Sequence, residues 1–217
     1  MTETFFCKRC GTCCKKGGPA LHEEDLKLID NGVITYENLY TLRIGETVLD
    51  NVKNTLIMSE SEIVKIKGTP CVFYDEAIAG CSIYASRPLE CRALACWNTL
   101  SIETVYNSGR LSRRKAVRGD KILTSLIEAH ASVCDYEEIA RMTEAYKNGA
   151  SDGEDLIEKT LIDGHMRDLT AEKAGLDPAL LDFLYGRPVY VILKAHGIRV
   201  EKDSQKTFLK IHVAQTY

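Results

Sequence analysis

The stretch Cys7-Lys8-Arg9-Cys10-Gly11-Thr12-Cys13-Cys14 places four thiols within eight residues. Its neighbours are lysine, arginine, glycine and threonine, so the usual role of cysteine as a small buried hydrophobe does not explain it. The run reads instead as half of a metal site, built on an irregular loop rather than on a strand or helix. The other half lies about sixty residues on, in Cys71, Cys81, Cys91 and Cys96.

Thiolates are soft ligands that select zinc, copper(I) or iron–sulphur clusters. A C-x2-C unit lets two sulphurs reach one metal from a tight turn. Gly11 directly follows Cys10 and permits backbone angles that a Cβ would hinder. Adding Cys13 gives C-x2-C-x2-C, the opening of a ferredoxin-type run, but the ending C-x3-C-P is absent because Cys14 follows at once. Adjacent side chains point to different sides, which argues against Cys13 and Cys14 sharing one mononuclear metal. Either the eight thiols form two four-sulphur sites, or one cluster takes four and the rest serve otherwise. The gaps Cys71-x9-Cys81-x9-Cys91-x4-Cys96 are too wide for a zinc ribbon, so the fold must bring these residues together. The N-terminal loop is then expected against the 71–96 region, and metal binding contributes to folding. Lys8, Arg9, Lys15, Lys16, Arg87 and Arg92 lie near the cysteines and suit the negative charge of a metal–thiolate centre.

Composition sets the context. The chain has 217 residues, 45% hydrophobic and 27% charged, enough for a core without covalent staples. Net charge is -3, so any cationic function must be local. Met1–Phe6 lacks the basic and apolar regions of a signal peptide. No apolar run approaches the roughly 20 residues of a membrane span. A cytoplasmic location is expected. There thiols stay reduced, which favours metal ligation over disulfides.

Along the chain, Lys15–Pro19 is a loop. A helix is expected from about His22 to Asn31, stopped by Gly32, and a second short one near Thr35. Residues 43–83 read as short strands and turns. Glu62–Lys67 is one strand, and Cys71–Tyr74 with Gly80–Tyr84 form a hairpin about the turn Asp75–Ala79. Pro88 opens a helix carrying Cys91 and Cys96. Ile122, Leu123, Leu126, Ile127 and His130 share one helical face, and Ile139, Met142 and Tyr146 share the next. Further helices are expected near 154–163, 178–185 and from Pro188 to His196. A terminal hairpin runs from Ile198 to Val213, with Lys202–Lys206 at its tip. The sequence divides near 100–118, into a cysteine-rich region (1–105) and a mainly helical region ending in the hairpin (106–217). The fold class is α+β.

Other constellations read as structural. Cys134 sits in apolar Ala131–Cys134. His22 is a surface residue at a helix start rather than a ligand, and His130, His165, His196 and His212 show no ligand spacing. Gly109–Arg118 carries five cations and no acid. Without interleaved aromatics it reads as a solvated helix face, not a nucleic-acid site. Asp152, Glu154 and Asp155 are acids at a helix start. No P-loop, G-x-G-x-x-G or nucleophile–base motif occurs.

Taken together, Cys7-x2-Cys10-Gly-x-Cys13-Cys14, Cys71-x-Phe73 and Cys81-x-Ile83-Tyr84-x2-Arg87-Pro88-x2-Cys91-Arg92-x3-Cys96-Trp97 resemble the YkgJ-type cysteine-cluster family of zinc- or iron-chelating proteins. The resemblance covers residues 7–97. It implies that all eight cysteines, Cys7, Cys10, Cys13, Cys14, Cys71, Cys81, Cys91 and Cys96, belong to the metal-binding pattern. Flagellin lysine-N-methylases carry related clusters, which implies an iron–sulphur form, [4Fe–4S], of the site. Two versions of function follow. In one, the protein is a binding module with zinc or iron and a protein partner for its helical half. In the other, an iron–sulphur enzyme carries electrons or modifies a protein.

Overall fold

The computed structural model describes residues 7–50, 55–106, 108–202 and 207–211. The N-terminal half is built of short pieces. Helix α1 (Thr12–Lys15) follows the cysteine loop, and α2 (Leu26–Asp30) follows a 3-10 turn at Glu23–Asp25. Strands β1 (Leu39–Leu42), β2 (Thr47–Asp50), β3 (Thr55–Met58) and β4 (Ile63–Ile66) come next, then the two-residue strands β5 (Tyr74–Asp75) and β6 (Gly80–Cys81). Helices α3 (Leu89–Ala93), α4 (Leu100–Val105) and α5 (Arg113–Ala116) lead into the longer α6 (Lys121–Val133), α7 (Tyr136–Lys147) and α8 (Glu154–Ala174). The short α9 (Leu181–Leu184) and α10 (Val189–Ala195) precede the closing pair β7 (Ile198–Lys202) and β8 (Thr207–Ile211). The α+β class holds.

All strand pairs are antiparallel and two-stranded: β1 with β4, β2 with β3, β5 with β6, and β7 with β8. The β1–β4 ladder pairs Leu39 with Ile66 and Leu42 with Ile63. Segment 19–21 lies along β4, with Leu21 N–H donating to Val64 at 2.8 Å and Ile66 N–H to Pro19 at 3.0 Å. Gly18 makes that approach possible, because a Cβ there would sit 2.1 Å from the Ile66 carbonyl oxygen. Leu21, Ile34, Leu39, Val64 and Ile66 of this half pack in one apolar cluster with Leu111, Leu123, Phe183, Leu184 and Tyr185. A second cluster joins Tyr136, Ile139, Leu156, Val189, Leu193 and Ile198.

The amphipathic helices follow their sequence pattern. Asp120 caps α6 by accepting from Leu123 N–H at 2.9 Å, and Asp135 caps α7 by accepting from Glu138 N–H at 2.9 Å. On α6, Leu123, Ile127 and His130 are buried, but Ile122 turns outward. The helix expected near 154–163 runs on to Ala174. Its second half is mostly polar, so apolar periodicity does not trace it, and the space around Gly164 is open. Pro88 caps α3 rather than starting it, and Cys96 lies beyond the helix, in a turn bridged between Ala95 and Asn98. The expected hairpin at 71–84 is shorter: residues 71–73 form a turn ahead of β5. The expected strand residue Val213, the tip 203–206 and the segment Met1–Phe6 lie outside the described residues. No helix among the described residues is long and apolar enough to cross a membrane.

Candidate metal centre

The cysteine loop is fixed by contact with the β5–β6 hairpin. Gly11 has φ 71°, in the left-handed region, and a Cβ there would lie 2.4 Å from the Tyr74 ring and 2.8 Å from the Ala79 carbonyl oxygen. Only glycine allows this seat. Lys15 N–H closes the turn onto the Gly11 carbonyl at 2.9 Å, and Cys71 N–H donates to the Cys14 carbonyl at 2.9 Å. The guanidinium groups of Arg9 and Arg87 stand 4.0 and 3.7 Å from the centroid of the Tyr84 ring. The N-terminal loop therefore packs where its spacing places it, on the 71–91 segment.

Five thiols then face one groove: Cys13, Cys14, Cys71, Cys81 and Cys91. They come from the loop, the hairpin and α3. Cys71 is buried, Cys14, Cys81 and Cys91 are half-buried, and Cys13 is exposed. The Sγ atoms of Cys13 and Cys14 are 4.0 Å apart. Adjacent thiols are thus brought together, not splayed as expected, because the short turn of α1 carries both. A tetrahedron with metal–sulphur bonds of about 2.3 Å has an edge of about 3.8 Å, so this pair is close to the spacing that one ion requires.

Electrostatics bind the five into one group. Burial and the neighbouring Cys13 push the Cys14 thiol up to about 12. Burial likewise raises Cys71, Cys81 and Cys91. Cys91 is raised further by Cys13, Cys71, Cys81 and Cys14, whereas Arg87 pulls Cys81 back down. These thiols resist ionising together unless a cation joins them, which is the donor chemistry of a soft-metal site. Zinc or iron fits this set.

The other three predicted ligands do not join the group. Cys7, Cys10 and Cys96 are exposed, and none of them lines the groove. Cys10 instead contacts the Thr12 hydroxyl at 3.2 Å, a hydrogen bond that lowers its pKa.

Beneath the thiols lies a polar network with no signature in the sequence. His22 is buried, not a surface residue. Its Nδ1 lies 2.7 Å from the Ser108 carbonyl oxygen and its Nε2 3.4 Å from Glu90 Oε1. Both ring nitrogens thus face acceptors, and the Glu90 hydrogen bond leads in raising the His22 pKa. Glu90 Oε2 accepts from Ala20 N–H at 2.8 Å. Asp25 accepts from the backbone N–H groups of His22 at 3.0 Å and Leu89 at 2.8 Å. This network seats α3, and with it Cys91.

The basic run is a solvated face at Arg114, Lys115 and Arg118, which are exposed, but not at Arg113. Arg113 is buried and pairs with Glu62 at 2.7 Å. Lys115 pairs with Glu23, Arg118 with Asp30 at 2.7 Å, and Arg114 with Glu128 at 2.8 Å. Arg110 lies over the Tyr106 ring.

One tight trio of possible ligand atoms lies elsewhere. His130, Cys134 and Asp163 are buried, with their atoms within 4.8 Å of one another. Asp163 Oδ1 already takes His130 Nε2 at 2.8 Å and Arg167 Nε at 2.9 Å, and Oδ2 takes Val189 N–H at 3.0 Å. The Arg167 cation occupies the place an ion would need. We assign no metal there, although this trio is packed more closely than the groove thiols.

Residues 6–109 match the model of the CxxCxxCC family, described as "Putative zinc- or iron-chelating domain". That stretch of the chain is similar to the family. The CxxCxxCC domain spans every cysteine except Cys134 and ends before the basic run is complete. No curated protein and no solved structure matches the chain. Residues 110–217 lie outside the match.

Proposed function

We propose that Cys13, Cys14, Cys71, Cys81 and Cys91 hold the metal, zinc or iron, as thiolates, and that Cys7, Cys10 and Cys96 form an outer, exposed set. The observation that carries this reading is the convergence of five thiols from three chain segments on one groove. When bound, the metal supplies the positive charge that the buried, mutually repelling thiols require. The chain's own part is to fix the sulphurs: Gly11 seats the loop, the Cys71–Cys14 backbone bond joins the two halves, and the His22–Glu90–Asp25 network holds α3. Ligation by thiolate releases protons, so metal affinity rises with pH.

A second reading is an iron–sulphur centre with a redox or protein-modifying role, which four of the same five thiols would hold. Reduced thiols of either kind fit a cytoplasmic location.

Anaerobic purification, metal analysis and an absorption spectrum test both readings. A colourless protein with about one zinc per chain supports the mononuclear site. A brown protein with several irons supports the cluster. A fully folded chain that takes up neither metal contradicts both.

A further inference from the structure

The groove gathers five thiols, and one tetrahedral ion takes four. Main-chain bonds divide the five unequally. Cys71 N–H donates to the Cys14 carbonyl at 2.9 Å, and Tyr74 N–H to the Cys71 carbonyl at 2.8 Å. Tyr74 is in turn the ladder partner of Cys81 across β5 and β6. Cys14, Cys71 and Cys81 therefore stand on one continuous line of backbone bonds. Cys91 is carried by α3, which Asp25 and Glu90 fix by accepting from the backbone N–H groups of Leu89 and Ala20. These four thiols stand on one bonded frame.

Cys13 stands outside that frame. Its carbonyl accepts from Lys16 N–H at 3.1 Å, within its own turn. Its side chain lines the groove and is also exposed, whereas Cys71 is buried and Cys14, Cys81 and Cys91 are half-buried. Cys13 thus lies where the groove meets solvent. Its Sγ is 4.0 Å from that of Cys14, close to the edge of about 3.8 Å that two sulphurs on one ion span. It can share an ion with a member of the frame, and it can also meet an ion that is still in solvent.

We propose that Cys14, Cys71, Cys81 and Cys91 form the closed resting site and that Cys13 is the exchange ligand through which the ion enters and leaves. The proposal rests on the reading that the groove thiols bind a single ion, zinc or iron(II), and it makes that ion cargo. Cys13 and Cys14 take the incoming ion first. Each sulphur displaces a water from the ion as its thiol proton passes to solvent. Cys71, Cys81 and Cys91 follow. As the last of them binds, the ion expands to five sulphurs, Cys13 departs and its thiolate regains a proton from solvent. Release reverses the order, and no electron moves. A closed site lacking such a ligand would have to give up a less exposed sulphur before an acceptor could reach the ion. The arrangement suits a chain that passes metal on rather than one that keeps it as a staple.

The test uses the full chain loaded anaerobically with zinc and checked for fold by circular dichroism. Stopped-flow absorbance follows zinc release to saturating pyridylazo-resorcinol, a chromophoric chelator. Cys13→Ser is expected to slow release at least about tenfold. Loss of a resting ligand does the opposite, so Cys71→Ser should release zinc at least about tenfold faster or lose it during purification. Cys96→Ser, at an exposed cysteine outside the groove, should release at the wild-type rate. Faster release from Cys13→Ser would make Cys13 a resting ligand and overturn the proposal. An unchanged rate in Cys13→Ser would overturn it too, as would equal slowing in Cys96→Ser or slow release from Cys71→Ser. Wild type that binds no zinc would remove the single-ion reading and this proposal together. Wild type that binds zinc but releases it as slowly as Cys13→Ser would remove this proposal alone.

Discussion

Cys71 donates its backbone N–H to the carbonyl of Cys14 at 2.9 Å, a bond between residues from the two cysteine groups. It joins the halves of the thiol site through the main chain, so the loop's seat on the hairpin decides whether the sulphurs meet. Gly11 controls that seat. Gly11→Ala forces a Cβ to within 2.4 Å of the Tyr74 ring at φ 71°. We expect a loss of about 1–3 kcal/mol in urea unfolding, together with a fall in bound metal. Gly32→Ala is the control: its φ is 67°, but nothing lies within 4 Å of the new methyl. It should cost only the backbone strain and leave metal content intact. Equal behaviour of the two variants would refute the seating role.

The network under α3 gives a second expectation. Glu90→Ala leaves the Ala20 N–H and the buried His22 without their carboxylate. An unsatisfied buried donor costs about 1–3 kcal/mol. Urea unfolding should show that loss, and metal titration should show weaker binding, because Cys91 is the next residue. Glu90→Gln keeps an acceptor and should recover much of both. If Gln is as damaging as Ala, the hydrogen bonds are not what holds α3.

Acid sensitivity follows from His130. Burial holds its pKa below the usual 6.5, against the pull of the Asp163 hydrogen bond. Its neutral ring donates from Nε2 to Asp163 Oδ1, and Nδ1 has no partner. For Asp163, burial acts upward, but the His130 bond, Arg167 and the Val189 amide outweigh it and leave the pKa below 3.8. The unfolded chain therefore binds more protons than the folded one as pH drops below about 6.5 at His130, and below about 3.8 at Asp163. Both contributions are present at neutral pH and are lost on acidification. His22, raised, slopes the opposite way and contributes equally to wild type and variant. The stability gap between wild type and His130→Gln in urea should shrink from pH 7.5 to pH 5.5, by up to about 1.4 kcal/mol per pH unit. A constant gap would mean that His130 does not titrate on unfolding.

Part of the chemistry is legible in the sequence because it is local: four cysteines and their glycine sit within eight residues, Cys7–Cys14. The amphipathic helices were legible for the same reason, since Leu123, Ile127 and Ile139 declare their period directly. What stayed hidden depends on distant partners. The acceptors of His22 lie 68 and 86 residues away, at Glu90 and Ser108. The acids that pair with the basic run, Glu23, Asp30, Glu62 and Glu128, carry no local mark of that pairing. The division of the eight cysteines into five gathered and three exposed was likewise out of reach, because it depends on where the hairpin places Cys81 and where α3 ends short of Cys96.

That division is the central claim, and metal stoichiometry in paired cysteine variants tests it most directly. Cys71→Ser/Cys91→Ser leaves three groove thiols, and Cys7→Ser/Cys96→Ser leaves all five. Both proteins would be purified anaerobically, checked for fold by circular dichroism and analysed for zinc and iron. The first should lose its metal, and the second should retain it. Metal retained by the first and lost from the second would contradict the account.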